Sequence, residues 1–179
     1  MESDVAKAEE AIWDKAKKKE ALDTFQRELK NQPIAFDDAS TEAKPAWGFD
    51  SIERTKRDSN LKILMNLVKL LQEYPGLHCN LHCTTDSAPN KELAAHFELD
   101  STQSIQDALA RQRAKACEEK LVFLCPSLKK RLFISWSGCG DQSKLDFNLM
   151  ESGVAKTKEA IWDKAKKKEE LDTFQRELK

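Results

Sequence analysis

The sequence predicts a small two-layer α/β sandwich, element order β-α-β-α-β-β, with a helical segment at each end. Three observations lead there. The two ends are nearly the same Ala-, Lys-, Glu- and Leu-rich, proline-free segment. Between them, two long apolar patterns of helical period alternate with short stretches of period two. Pro75-Gly76 and Gly138-Cys139-Gly140 punctuate that middle region as turns do.

The ends come first. Aligning residues 1–30 with 150–179 gives 26 identities in 30 positions, without a gap. The differences are Asp4/Gly153, Ala8/Thr157, Glu9/Lys158 and Ala21/Glu170. A constant offset of 149 residues suggests one full unit followed by the start of the next, as in a tandem array. Near-identity predicts the same structure for both copies. Ser3 or Asp4 can cap the first. Val5, Ala8, Ile12 and Ala16 share one stripe with Trp13 beside it, and Leu22, Phe25 and Leu29 form a second, rotated by roughly 110°. A straight helix cannot bury both on one flat surface, so a kink near Glu20–Asp23 or two different partners is expected. Lys17-Lys18-Lys19 reads as a solvated face.

In the middle, Gln32–Phe36 is a short strand candidate, followed by a polar stretch with Pro45 and Gly48. Leu61–Leu71 is helical and stops before Pro75-Gly76. Leu77–Cys83 is a strand with Leu77, Cys79, Leu81 and Cys83 on one face. Ser101–Leu124 is a second amphipathic helix. Arg131–Ser137 and Lys144–Leu149 alternate as strands. One sheet with both helices on one face follows. The domains expected are a helical connector 1–30, an α/β domain 31–149, and a second connector 150–179.

The middle region resembles a known family. LVKLLQEYPGLHCNLHCTTDS is similar to the helix–strand–TD segment of OmpA-like domains (OmpA C-terminal, MotB type). LARQRAKACEEKL, Leu109–Leu121, resembles their LSxxRAxxVxxxL helix. RLFISWSGCG resembles the strand and glycine turn that follow, and PIAFDD the first strand. The similarity spans about Gln32 to Leu149. It implies a peptidoglycan-binding ancestry in which an aspartate and an arginine grip a zwitterionic amino-acid end, as opposite charges should. The matching positions are Asp86 and Arg113. This chain departs from the pattern: Cys83-Thr84 replaces glycine-histidine, Pro89 replaces the TDxxG glycine, Gln106 replaces an asparagine, and the loop Ala88–Asp100 is extended. A lost glycine removes backbone freedom and close approach at a ligand loop. The fold is therefore expected to carry over and the ligand is not.

Other chemistry is excluded on physical grounds. Net charge is −1 with 34% charged residues, so no basic field draws nucleic acid. No stretch approaches the ~20 apolar residues of a membrane span. Met1-Glu2-Ser3-Asp4 is acidic with no apolar run behind it, which is not a signal peptide. Five cysteines, an odd and sparse set, read as reduced and mostly buried thiols in a reducing compartment. His78, Cys79, His82 and Cys83 do not make a metal site: four residues along a strand span about 13 Å, and alternation parts histidines from cysteines. Cys117 lies on a core helix face without a base. No phosphate loop, HExxH or GxSxG occurs, so no cofactor and no enzyme activity are expected. Asp37-Asp38 and Glu118-Glu119, as adjacent acids, point in different directions. Trp136 shares a face with Leu132 and Ile134; Phe133, His78 and His82 share the other, which the terminal helices could cover. Trp47 and Phe49 have no assigned face.

The functional expectation is a structural or scaffolding repeat protein whose helices bind identical units or other assembly proteins, through Ile12, Trp13 and Phe25 and their counterparts Ile161, Trp162 and Phe174. Peptidoglycan binding through Asp86 and Arg113 is one alternative. An adaptor that recruits another protein through its Lys-rich helices is the other.

Overall fold

The computed structural model describes residues 2–36, 53–87, 94–95 and 97–153. Among the described residues the long helices α1 (Glu2–Asn31), α2 (Arg54–Glu73) and α3 (Thr102–Leu124) pack with strands β1 (Leu77–Asp86), β2 (Leu132–Gly140) and β3 (Lys144–Glu151). A short 3-10 turn, Pro126–Arg131, links α3 to β2. Among the described residues the strands form one sheet, β2-β1-β3, with β1 parallel to β2 and antiparallel to β3. The expected α/β sandwich with its helices on one face is what forms.

The period-two pattern sets the faces. Leu77, Cys79, Leu81 and Cys83 of β1 point into the helices, joined by Leu145 and Phe147 of β3. Ile63, Leu64, Leu67, Val68 and Leu71 of α2 and Ala110, Ala114, Cys117 and Leu121 of α3 close the same core. Spacings of three and four put each set on one helical stripe. Ser101 caps α3, its Oγ accepting from Ser104 N at 3.1 Å.

α1 runs as one helix from Glu2 to Asn31, and its two stripes meet different surroundings. Phe25 and Leu29 are buried in the core, with Ala21 and Leu22 packed against it, while Ile12 and Trp13 are 69% and 74% exposed. Gln32–Phe36 differs from expectation: it is not a strand. The Asn60 side chain occupies the hydrogen-bonding groups that a ladder would use: it accepts from Ala35 N (2.9 Å) and donates to Ala35 O (2.8 Å).

Arg131 fixes the end of the domain where α2 turns into β1. Its Nη2 donates to Leu71 O (2.6 Å) and Tyr74 O (2.9 Å), and its Nε to Leu77 O (2.8 Å). A cation there satisfies the last carbonyls of α2 and complements the helix dipole. β3 ends at the same place: Glu151 pairs with Leu77, and Ser152 N donates to Gly76 O. β3 thus runs through Met150 and Glu151, the first two residues of the second repeat copy. Ser152 and Gly153 begin a helical turn, and the remainder of that copy, with Ile161, Trp162 and Phe174, lies outside the described residues, as do Asp37-Asp38, Pro45, Trp47, Gly48, Phe49 and Pro89.

Candidate functional site

The resemblance directs attention to the C-terminal end of β1. There the register with β2 slips, with Thr84 opposite Ser137 and Asp86 opposite Gly140, so Thr85 faces two residues in a bulge. Cys139 takes φ of 57° to make it. Thr85 is buried and its Oγ1 donates to Gln106 O (3.0 Å). Gly138 N donates to Asp107 Oδ1 (2.6 Å), drawing β2 onto the first turns of α3. A Cβ on Gly138 would lie 2.5 Å from Asp107 N, so only glycine permits that approach.

Asp86 is exposed at the tip of this end, with its backbone N donating to Ser143 Oγ. Arg113 is placed quite differently. It lies on the inward stripe of α3, 6% exposed, with its guanidinium carbon 5.0 Å from the Phe36 ring centroid. Its charge is felt inside the core: burial raises the Cys83 thiol pKa to about 12, with Arg113 pulling it down and Asp146 pushing it up. One member of the expected pair therefore faces solvent, while the other is packed beneath an aromatic ring. A nearby satellite of Ile105 and Leu109, packed with Ala94, Phe97 and Leu99, anchors the extended loop to α3.

All five thiols are free. Cys79 and Cys117 are fully buried and desolvation lifts both pKa values far above the ordinary thiol range. Thiols held protonated are poor nucleophiles and poor ligands. No group of three or more metal-ligating side chains is present among the described residues.

The opposite face of the sheet carries a polar row. His82 Nδ1 lies 2.7 Å from Ser135 Oγ, which also accepts from Asn80 Nδ2 (3.0 Å). Asp146 stands across the ladder from His82 and is held by Lys144 (2.9 Å). The residue types are those of a hydrolytic triad, but Ser135 is 1% exposed and its oxygen already has two partners, so no carbonyl can reach it. Phe133 stacks on His78, centroids 5.8 Å apart and 9° between planes. α1 packs on the other face, against Phe147, so the first repeat copy does not cover this row.

The remaining candidate is α1 itself. Gln26 Nε2 donates to Phe147 O (2.9 Å), Asn66 Nδ2 donates to Glu28 Oε2 (2.8 Å), and Lys18 pairs with Glu151. The C-terminal half is thus clamped between α2 and β3. Of the expected interface residues, Phe25 belongs to this unit's own core, which removes it from reach of a neighbour; Ile12 and Trp13 stay on the surface. An open groove of about 430 Å³ runs between α1 and α2, lined by Lys17, Glu20, Glu28, Lys69 and Glu73 among others. Neither this groove nor the Asn60 and Arg131 contacts carried a sequence signal, because each depends on segments far apart in the chain.

No protein-family model and no curated protein matches the chain. Among solved structures it is similar to the C-terminal domain of Helicobacter pylori MotB (residues 125–256), at 16% identity and a TM-score of 0.44, over 74% of this chain and 95% of that one. No described helix is long and apolar enough to cross a membrane.

Proposed function

We propose that this chain is a non-enzymatic structural module, a small α/β unit that joins copies of itself or neighbouring assembly proteins through its helical ends. The observation that carries the reading is the division of α1. One half is locked into the unit by Phe25, Gln26 and Leu29, and the other presents Ile12 and Trp13 to solvent. A helix held rigidly at one end and bare at the other is suited to connect bodies, and the repeat of its sequence at 150–179 supports tandem or filament-like organisation. Light scattering of the full chain tests this directly. Mass should rise with concentration, and the Ile12→Ala/Trp13→Ala variant should remain at monomer mass. A monomeric wild-type chain at every concentration would sink the reading.

Peptidoglycan binding is the second reading, favoured by the exposure of Asp86 at the loop end of β1. Co-sedimentation with purified peptidoglycan, lost in Asp86→Ala, would put it first. A defined complex with a different protein and no self-association would favour the adaptor.

A further inference from the structure

The exposed half of α1 carries an ordered charge pattern. At about 100° per residue, Glu9 and Ala16 project roughly opposite the buried Phe25–Leu29 stripe, with Ile12 on one side of that line and Trp13 on the other. Glu10 and Lys17 lie on the Trp13 side, one before it and one after it. All residues from Glu9 to Lys17 are exposed. An apolar centre with acid at one end and base at the other is complementary to itself when reversed.

We propose that this stripe pairs antiparallel with the same stripe of a second copy of the chain. The proposal rests on the self-association reading and names its contact. A two-fold axis passing between Trp13 and Asp14 keeps each side of one helix against the same side of the other. Trp13 then meets Trp13 of the second copy, and Glu10 of each helix faces Lys17 of the other, giving two equivalent ion pairs around an aromatic centre. Glu20, beyond Lys17 and near the line of Glu9, faces Glu9 of the other copy, a solvent-exposed like-charge contact that the two ion pairs and the Trp13 contact outweigh. The existing Lys17–Glu73 contact (3.5 Å) is solvent-exposed and competes weakly. Such pairing is closed, so it links chains laterally in twos.

Sedimentation equilibrium of the full-length chain and its charge variants tests the contact, with circular dichroism confirming that each variant is folded. Glu10→Lys and Lys17→Glu should each weaken self-association by about tenfold, because each creates two like-charge contacts. The double variant Glu10→Lys/Lys17→Glu, and a mixture of the two single variants, should restore it. Trp13→Ala should abolish it and Trp162→Ala should not. If the wild-type chain associates but the single variants do so equally well, or the double variant is not rescued, the antiparallel contact is wrong while self-association stands. If the wild-type chain never associates, both fall.

Discussion

The ring of Phe25 stands edge-on against that of Phe147, centroids 6.0 Å apart at 72°. One ring comes from α1 and the other from β3, so this contact makes α1 part of the domain. Edge-to-face geometry sets the positive edge of one ring on the negative face of the other. Phe25→Ala removes the contact and opens a cavity between α1, α2 and β3. It should cost about 3–5 kcal/mol by urea denaturation. Ile12→Ala/Trp13→Ala, on the exposed half of the same helix, should change monomer stability by less than about 0.5 kcal/mol.

The first repeat copy has Ala21 against the core where the second has Glu170. Ala21→Glu would place a carboxylate in the groove beside Glu20, Glu28 and Glu73, with Lys17 and Lys69 in partial compensation. Stability should fall by about 1 kcal/mol, read from the urea midpoint, with partial recovery on added salt as the acids are screened. No change would mean that both copies can dock on a body of this kind.

Arg131 holds three carbonyls with one guanidinium. Arg131→Met keeps the stem and loses the donors, leaving the end of α2 to water, and should cost about 2–3 kcal/mol. Arg131→Lys keeps the charge near the helix C-terminus without the rigid fork and should recover only part of that. Equal loss in both would show that donor geometry outweighs charge.

How far these contacts are legible in the sequence varies with their range. Leu77, Cys79, Leu81 and Cys83 announced their shared face because period two is a local property of the chain. The helical stripes of α2 and α3 did so for the same reason. Gln32–Phe36 has the composition of a strand, yet its backbone is engaged by Asn60, a single polar residue in an apolar helix whose partner no local pattern reveals. Glu2 and Glu151 occupy identical positions in the two copies, yet one is helical and the other is in β3, because Leu77 offers a ladder partner to only one of them. At the candidate site, Asp86 was found through the TD motif, and its exposure fits a strand end. Arg113 was found through the RA motif, which says nothing of the Phe36 ring that lies over it.

Cys79, Cys83 and Cys117 yield a prediction about pH. Their folded-state thiol pKa values are raised by burial, Cys83 to about 12 from the ordinary 9.0. The folded state therefore retains protons that the unfolded chain releases above pH 9. The stability these thiols contribute is fully present below pH 9 and is lost as pH rises toward 12 for Cys83, by up to about 1.4 kcal/mol per pH unit for each thiol. The thermal midpoint should fall steeply above pH 9, and Cys83→Ala should make that fall shallower. In the native state an alkylating reagent should modify half-buried Cys139 first and reach the three core thiols only on unfolding.

Gly138 and Cys139 make opposite predictions at adjacent positions. A methyl group at Gly138 would meet Asp107 N at 2.5 Å and Gln106 C at 2.7 Å, both backbone atoms that cannot swing aside. Gly138→Ala should push β2 off the start of α3 and cost about 1–3 kcal/mol. Cys139 holds φ of 57°, a conformation in which its Cβ is strained and glycine is not. Cys139→Gly should therefore be neutral or stabilise by up to about 1 kcal/mol, the gain in the folded state offset by greater freedom of the unfolded chain. Paired urea titrations decide both. Gly138→Ala at wild-type stability would mean that α3 is not seated on the bulge. Cys139→Gly losing more than about 1 kcal/mol would mean that the Cys139 side chain contributes more in packing than its backbone costs in strain.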